Sequence, residues 1–136
     1  MAEVARLAEG QPGREVCGFV VRRGAGAVEV LEVANVAAPD RAAAAFELDP
    51  AEELRLLQRL AAEGGEVLAI FHSHLDAPAI PSPSDVAGAF GDGVPLWPGV
   101  EHVIVSVRAG RAAEVRRYRA VQGALVPAGA PEPNCA

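Results

Sequence analysis

An unbroken apolar run at residues 67–71 leads straight into His72 and His74, and a carboxylate, Asp85, returns a short way on. No other stretch constrains this chain as tightly. Gly64 and Gly65 break the preceding segment, so the run reads as a buried strand that opens after them. Strand side chains alternate between faces, and residues two apart point the same way with Cα atoms about 6.5–7 Å apart. The two imidazoles can therefore converge on one ion. Pro78, Pro81 and the run Ser82, Pro83, Ser84 then bring Asp85 back to them. Two histidines and one aspartate leave the fourth tetrahedral position of a zinc ion open to water, as in catalytic rather than structural sites. Such water ionises near pH ~7 and makes hydroxide available as a nucleophile. A proton acceptor is still required.

The chain is 136 residues long, a length suited to one domain with a proper core. Hydrophobic residues make up 51%, much of it alanine and valine, and the longest apolar runs are far too short to cross a bilayer. The first ten residues are polar and carry no signal-peptide core, so a cytoplasmic location is expected. The net charge is -6, and every basic residue is arginine. Such a balance is poorly suited to tracking a phosphate backbone, even with Arg116, Arg117 and Arg119 clustered. Neither a nucleic acid nor a membrane is expected as partner. Cys17 and Cys135 are too few for a disulfide framework and have no CxxC spacing, which fits reduced thiols.

In chain order, Val4, Ala5, Leu7 and Ala8 predict a short helix that Pro12 and Gly13 end. Residues 16–21 predict a strand covered on both faces, with Glu15 at its mouth, and Gly24 and Gly26 turn it into a return strand over 27–36. A short strand is expected at 46–48. Asp49 as N-cap, Pro50 at the first helical position and Glu52 as capping-box partner open a helix with an apolar stripe of Leu54, Leu57, Leu60 and Ala61. Ser82 and Pro83 open another, running through Phe90. Strands follow over 100–107 and 111–121, joined at Ala109 and Gly110. The domain is taken as 1–126 and residues 127–136 as a flexible tail.

Several residues have simpler roles available. Ser82, Pro83, Ser84, Asp85 is itself a helix capping box and needs no metal, although Asp85 in a first turn is also well placed to face the preceding strand end. Ser73 points away from the histidines beside it, which argues against a serine nucleophile, and there is no GxSxG elbow. His102 is expected to pack or face solvent, and Cys17 to be a small core residue. HExxH and the HxE with PCxxC pattern are absent, which removes zincin-type proteases and nucleobase deaminases.

Taken together, Glu15 before Cys17 and Gly18, the run His72, Ser73, His74, and Ser82 with Asp85 at spacing HSH-x7-S-x-x-D resemble the JAMM (MPN+) metalloprotease family. The resemblance covers the order of elements from about Val4 to Tyr118. It implies an α/β fold, a mixed central β-sheet flanked by helices, of the JAB/MPN type with cytidine-deaminase-like architecture. It further implies His72, His74 and Asp85 as ligands of one zinc ion per chain, Glu15 as general base, and Ser82 as oxyanion donor. The family often has proline after the second histidine, where this chain has Leu75. Small bacterial members imply a peptidase or isopeptidase acting at the C-terminus of a ubiquitin-like or sulfur-carrier protein with a Gly-Gly tail. A non-catalytic partner-binding module and a JAMM-type hydrolase of another substrate, such as peptidoglycan peptides, are the alternatives.

Overall fold

The computed structural model describes residues 2–11, 13–24 and 26–129. Pro12, Ala25 and, of the expected tail, residues 130–136 with Cys135 lie outside the described residues. Helix α1 (Ala2–Glu9) precedes a hairpin of β1 (Cys17–Arg23) and β2 (Ala27–Val33), then α2 (Pro50–Ala62), β3 (Glu66–Leu75) and α3 (Pro83–Ala89). A small ribbon of β4 (Phe90–Gly91) and β5 (Val94–Pro95) leads to β6 (Glu101–Arg108), β7 (Arg111–Val121) and β8 (Ala124–Pro127). The main sheet runs β2-β1-β3-β6-β7-β8. It is mixed, because β3 and β6 pair in parallel while the other neighbours are antiparallel. Among the described residues no helix is long and apolar enough to cross a membrane.

Strand alternation sorts the core into two layers. Ala69 and Phe71 of β3 and Val103, Val105 and Val107 of β6 face α1, where they bury Val4, Ala5 and Ala8. Phe19, Val21 and Ile70 point the other way and receive Leu60 of α2. His72 and His74 share parity with Ile70, so the strand delivers both to the α2 face. The same alternation leaves Gly18 no room for a side chain: a Cβ there would stand 2.1 Å from Leu31 O and 2.8 Å from Phe71 Cζ. Leu31 sits in the β1–β2 ladder opposite Phe19 and cannot retreat without breaking it. Gly18→Ala should therefore destabilise by about 3 kcal/mol or more, at the upper end of overpacking effects. A urea midpoint unchanged from the parent would contradict this packing.

Several expected boundaries shift. The regular part of β2 ends at Val33, and residues 46–48 give one bridge, Asn35 to Leu48, instead of a strand. Asp49 caps α2 through Oδ1, which accepts from Ala51 N at 3.0 Å, but its own N–H is taken by Ala34 O, so Glu52 has nothing to close the box onto. Leu54 is 56% exposed and Ala61 also faces outward, while Leu56, left out of the predicted stripe, packs on the core beside Leu60. Helix α3 stops at Ala89 because Phe90 turns extended to pair with Pro95. Strand β8, absent from the sequence reading, completes the sheet edge.

Candidate metal centre

Three side chains meet where β3 ends. His72 Nε2 lies 3.2 Å from His74 Nε2, and Asp85 Oδ2 lies 3.1 Å from the first and 3.0 Å from the second. A tetrahedral zinc ion with bonds of about 2.0–2.1 Å holds its donors roughly 3.3 Å apart, so this triangle fits one face of that tetrahedron. His74 Nδ1 lies 2.8 Å from Pro78 O, a carbonyl that can only accept. That bond places the proton on Nδ1 and leaves the Nε2 lone pair facing inward. Electron-rich atoms this close must share a proton or hold a cation between them. The group fits a metal ion.

The return of Asp85 is built residue by residue in the loop after β3. Asp76 N donates to Val107 O at 2.7 Å, Ser106 Oγ to Ala77 O at 2.6 Å, and Ala79 N to Glu114 Oε1 at 3.2 Å. Tyr118 Oη donates to Ala79 O, and Ala79 is fully buried. Ser106, Glu114 and Tyr118 lie on β6 and β7, and no local motif marks them. At the far end Ser82 caps α3: its Oγ accepts from Asp85 N at 3.1 Å, and Asp85 Oδ2 accepts from Ser82 N at 2.9 Å. Asp85 thus closes its capping box and faces the histidines with the same oxygen. Capping and metal ligation do not compete here.

Glu15 is placed by register. Cys17 pairs with His72 across β1 and β3, so Glu15, two residues earlier, lies across from His74 on the same face. Ser73 extends the ladder: its N–H donates to Val16 O at 2.9 Å, and its Oγ accepts from Val16 N at 2.8 Å. That hydroxyl points away from the histidines, as its parity requires. Glu15 is 4% exposed, and its Oε1 is buried without a hydrogen-bond partner. Cys17 is fully buried, and burial pushes its thiol up to about 12, which makes it a packed residue and not a nucleophile.

Beside the triangle opens a cleft of about 400 Å³, bordered by His72, Asp85, Phe46, Leu96, Trp97 and His102. Phe46 stacks on His72 with ring centroids 4.3 Å apart and planes at 22°. His102 packs in the cleft wall with Nε2 buried and unpartnered, outside the ligand triangle. Sequence spacing alone leaves it among ordinary packed residues, and its side chain lines the cleft because residue 102 shares the parity of Ile104, which pairs with His72.

The model of the family described as prokaryotic homologs of the JAB domain matches residues 1–121. The chain belongs to that family. A desampylase from Pyrococcus furiosus is 37% identical over 84 residues, 62% of this chain and 54% of that protein. A desampylase from Haloferax volcanii is 35% identical over 101 residues, 73% of this chain and 67% of that protein. A probable TtuB-protein conjugate cleaving protease from Thermus thermophilus is 47% identical over 45 residues, 33% of this chain and 30% of that protein. The chain therefore matches little more than half the length of the first of these relatives. The solution structure of a protein from Desulfitobacterium hafniense shares the fold at a TM-score of 0.63 and 24% identity, covering 86% of this chain and 78% of that one. The α/β JAB fold expected from the motif is the fold observed.

Electrostatics in the JAB site set the pH behaviour of the metal-free protein. Burial pushes Glu15 up to about 8, with His74 pulling it down and Asp85 adding to the rise. Burial raises Asp85 too, but its hydrogen bonds to His72 and His74 outweigh that and hold it well below the usual carboxylate range. Burial pulls His74 down, yet its bonds to Asp85 and Pro78 O lift it above its ordinary value; in His72 burial wins and the value falls. A carboxyl raised by folding binds its proton more tightly in the folded state. Its contribution is complete below pH 4.5, its ordinary value, and is lost as pH rises to about 8. His74 acts with the same sign and His72 against it; Glu15→Gln removes the first outright and takes from His74 the part of its rise that the Glu15 charge supplies, a change of the same sign. The melting temperature of metal-free Glu15→Gln should therefore gain on the parent between about pH 5 and pH 8. Parallel curves would show that the carboxyl is not buried as described.

Proposed function

We propose that this protein is a zinc-dependent metallopeptidase of the JAMM type that hydrolyses a peptide or isopeptide bond at the C-terminus of a ubiquitin-like or sulfur-carrier protein. The observation that carries the reading is an unpartnered, buried carboxylate oxygen on Glu15, set across from His74 in a group of donors that fits a metal ion. His72, His74 and Asp85 hold the zinc, one per chain. Zinc bound there supplies a Lewis acid and an acidified water. Glu15 takes the proton from the attacking water and passes it to the departing amine. Ser82 Oγ accepts from Asp85 N and lies 3.2 Å from Ser84 Oγ; with Ser84 as the donor of that bond, the Ser82 proton serves the developing oxyanion.

The substrate class is supported by relatives named desampylase and conjugate cleaving protease. A peptide can also find a backbone partner at the cleft. The bridge between Asn35 and Leu48 uses Glu47 O and Asp49 N, so the N–H and C=O of Leu48 face the other way. Leu48 borders the cleft, and an extended Gly-Gly tail can pair there as an added strand. A cytoplasmic location belongs to this reading and suits the free thiol of Cys17.

The test is mass spectrometry of products from a panel: a carrier joined through its terminal glycine to a lysine side chain, the same carrier with a linear extension, and a peptidoglycan peptide. Cleavage after the terminal glycine of a carrier substrate, dependent on added zinc, is the expected outcome. Tight carrier binding without turnover would replace the enzyme by a binding module, and cleavage of the peptidoglycan peptide alone would replace the substrate.

A further inference from the structure

Asn35 spends its whole side chain on backbone groups. Its Nδ2 donates to Glu15 O at 3.0 Å and to Ala45 O at 3.1 Å, while its Oδ1 accepts from Ala37 N and Glu47 N, both at 3.0 Å. A carboxamide offers two donor hydrogens and an oxygen with two lone pairs, so its capacity is full. Turning the amide over would set N–H against N–H and oxygen against carbonyl, and the network therefore fixes its orientation. The bond to Ala37 N is the local turn that any asparagine can make. The other three span 20, 10 and 12 residues and have no such local origin.

The segments so joined flank the metal triangle, one carrying Glu15 and the other Phe46. Glu15 carries the buried carboxylate, and Ala45 and Glu47 flank Phe46, whose ring lies on His72 in the cleft. The link is reinforced where Glu15 N donates to Ala42 O at 2.8 Å in the same loop. We propose that Asn35 is a positioning residue that locks the general base and the Phe46 wall of the substrate cleft into one rigid unit. This rests on the reading of Glu15 as the base and of the cleft as the seat of the substrate tail. Asn35 meets Glu15 only at its backbone carbonyl and does not border the cleft.

The two faces of the amide can be separated. Asn35→Asp keeps both acceptor bonds to Ala37 N and Glu47 N and loses both donor bonds, including the one to the base segment. Asn35→Ala loses all four. With zinc-loaded protein and a labelled lysine joined to the terminal glycine of a ubiquitin-like carrier, Asn35→Asp should lower kcat at least about tenfold with KM within about twofold. Asn35→Ala should lower kcat similarly and also raise KM at least about threefold, since small misplacements of reacting groups are costly. Amide hydrogen exchange reads the coupling without any substrate: in Asn35→Ala the Glu15 N–H should exchange faster together with those of Ala37 and Glu47. If the parent cleaves no carrier conjugate, the enzymatic reading fails while this exchange result still decides the coupling. Folded variants with both kinetic constants within twofold of the parent would overturn the proposal. So would faster exchange confined to Ala37 and Glu47. Should Asn35→Ala not fold, Asn35→Asp is read in the same way, with faster exchange expected at Glu15 and parent-like exchange at Glu15 overturning the proposal.

Discussion

Glu15→Gln is expected to lower kcat for carrier cleavage by about 10²- to 10⁴-fold, the usual worth of a positioned general base, with zinc content and KM unchanged. The substitution keeps the shape of the side chain and every backbone bond of the segment, including Glu15 N to Ala42 O and Asn35 Nδ2 to Glu15 O. It breaks no hydrogen bond of Oε1, which has none. What disappears is the ability to hold a proton between its removal from water and its delivery to the amine. A divalent cation held by His72, His74 and Asp85 would draw Glu15 below the value of about 8 that burial gives it, so the acid limb of kcat/KM should lie under pH 8 in the parent. That limb should vanish from the residual activity of Glu15→Gln. Rates within threefold of the parent at every pH would remove Glu15 from the reaction.

The parts of this site that can be read from sequence are those fixed by local rules. Parity on one strand brings His72 and His74 together, and the reciprocal bonds between Ser82 and Asp85 follow from a four-residue capping pattern. Asp49 and Pro50 mark the start of α2 for the same kind of reason. What escaped depends on pairings between distant segments. Leucines at 54, 56, 57 and 60 satisfy two overlapping helical stripes, and only the docking of α2 against Phe19 and Ile70 selects Leu56 over Leu54. Strand β8 offers little beyond Leu125 and Val126 between Gly123 and Pro127, too short a run to announce itself before β7 is there to pair with it. Glu15 enters the sequence reading through the family resemblance alone, and its place opposite His74 needs the β1–β3 register. Tyr118 reaches Ala79 across 39 residues, and Asn35 reaches Glu15 across 20, distances at which no spacing rule operates.

Removing the metal should abolish cleavage and lower stability together, and Asp85→Asn should reproduce much of both effects. Without a metal, His74 Nε2 presents a lone pair to His72 Nε2 and Asp85 Oδ2 at 3.2 and 3.0 Å, because its proton is held at Nδ1 by Pro78 O. A proton taken up by the metal-free site relieves that repulsion: burial disfavours it, but the bonds of His74 to Asp85 and Pro78 O raise His74, and the bonds to both histidines depress Asp85. Zinc bound there would displace this proton. Titration calorimetry in buffers of different ionisation heat should therefore show proton release that grows as pH falls below the raised value of His74, with zinc affinity weakening in step. Free zinc at a hundred times its Kd should add about 2.7 kcal/mol to the stability of the parent, a rise of several degrees in Tm. Asp85→Asn keeps an oxygen able to accept from Ser82 N, so the cap of α3 survives, but it removes the negative charge that balances the cation. Its zinc affinity should fall by more than the 10- to 100-fold typical of losing an outer partner of a ligand. In the metal-free protein Asp85→Asn also takes the charge partner from His74, so the effect on zinc binding is read as the stability gained on adding zinc, which should be smaller in the variant than in the parent. Equal zinc affinity in parent and variant, or a chelated parent that melts and cleaves as before, would show that the triangle of His72, His74 and Asp85 holds a shared proton and nothing more.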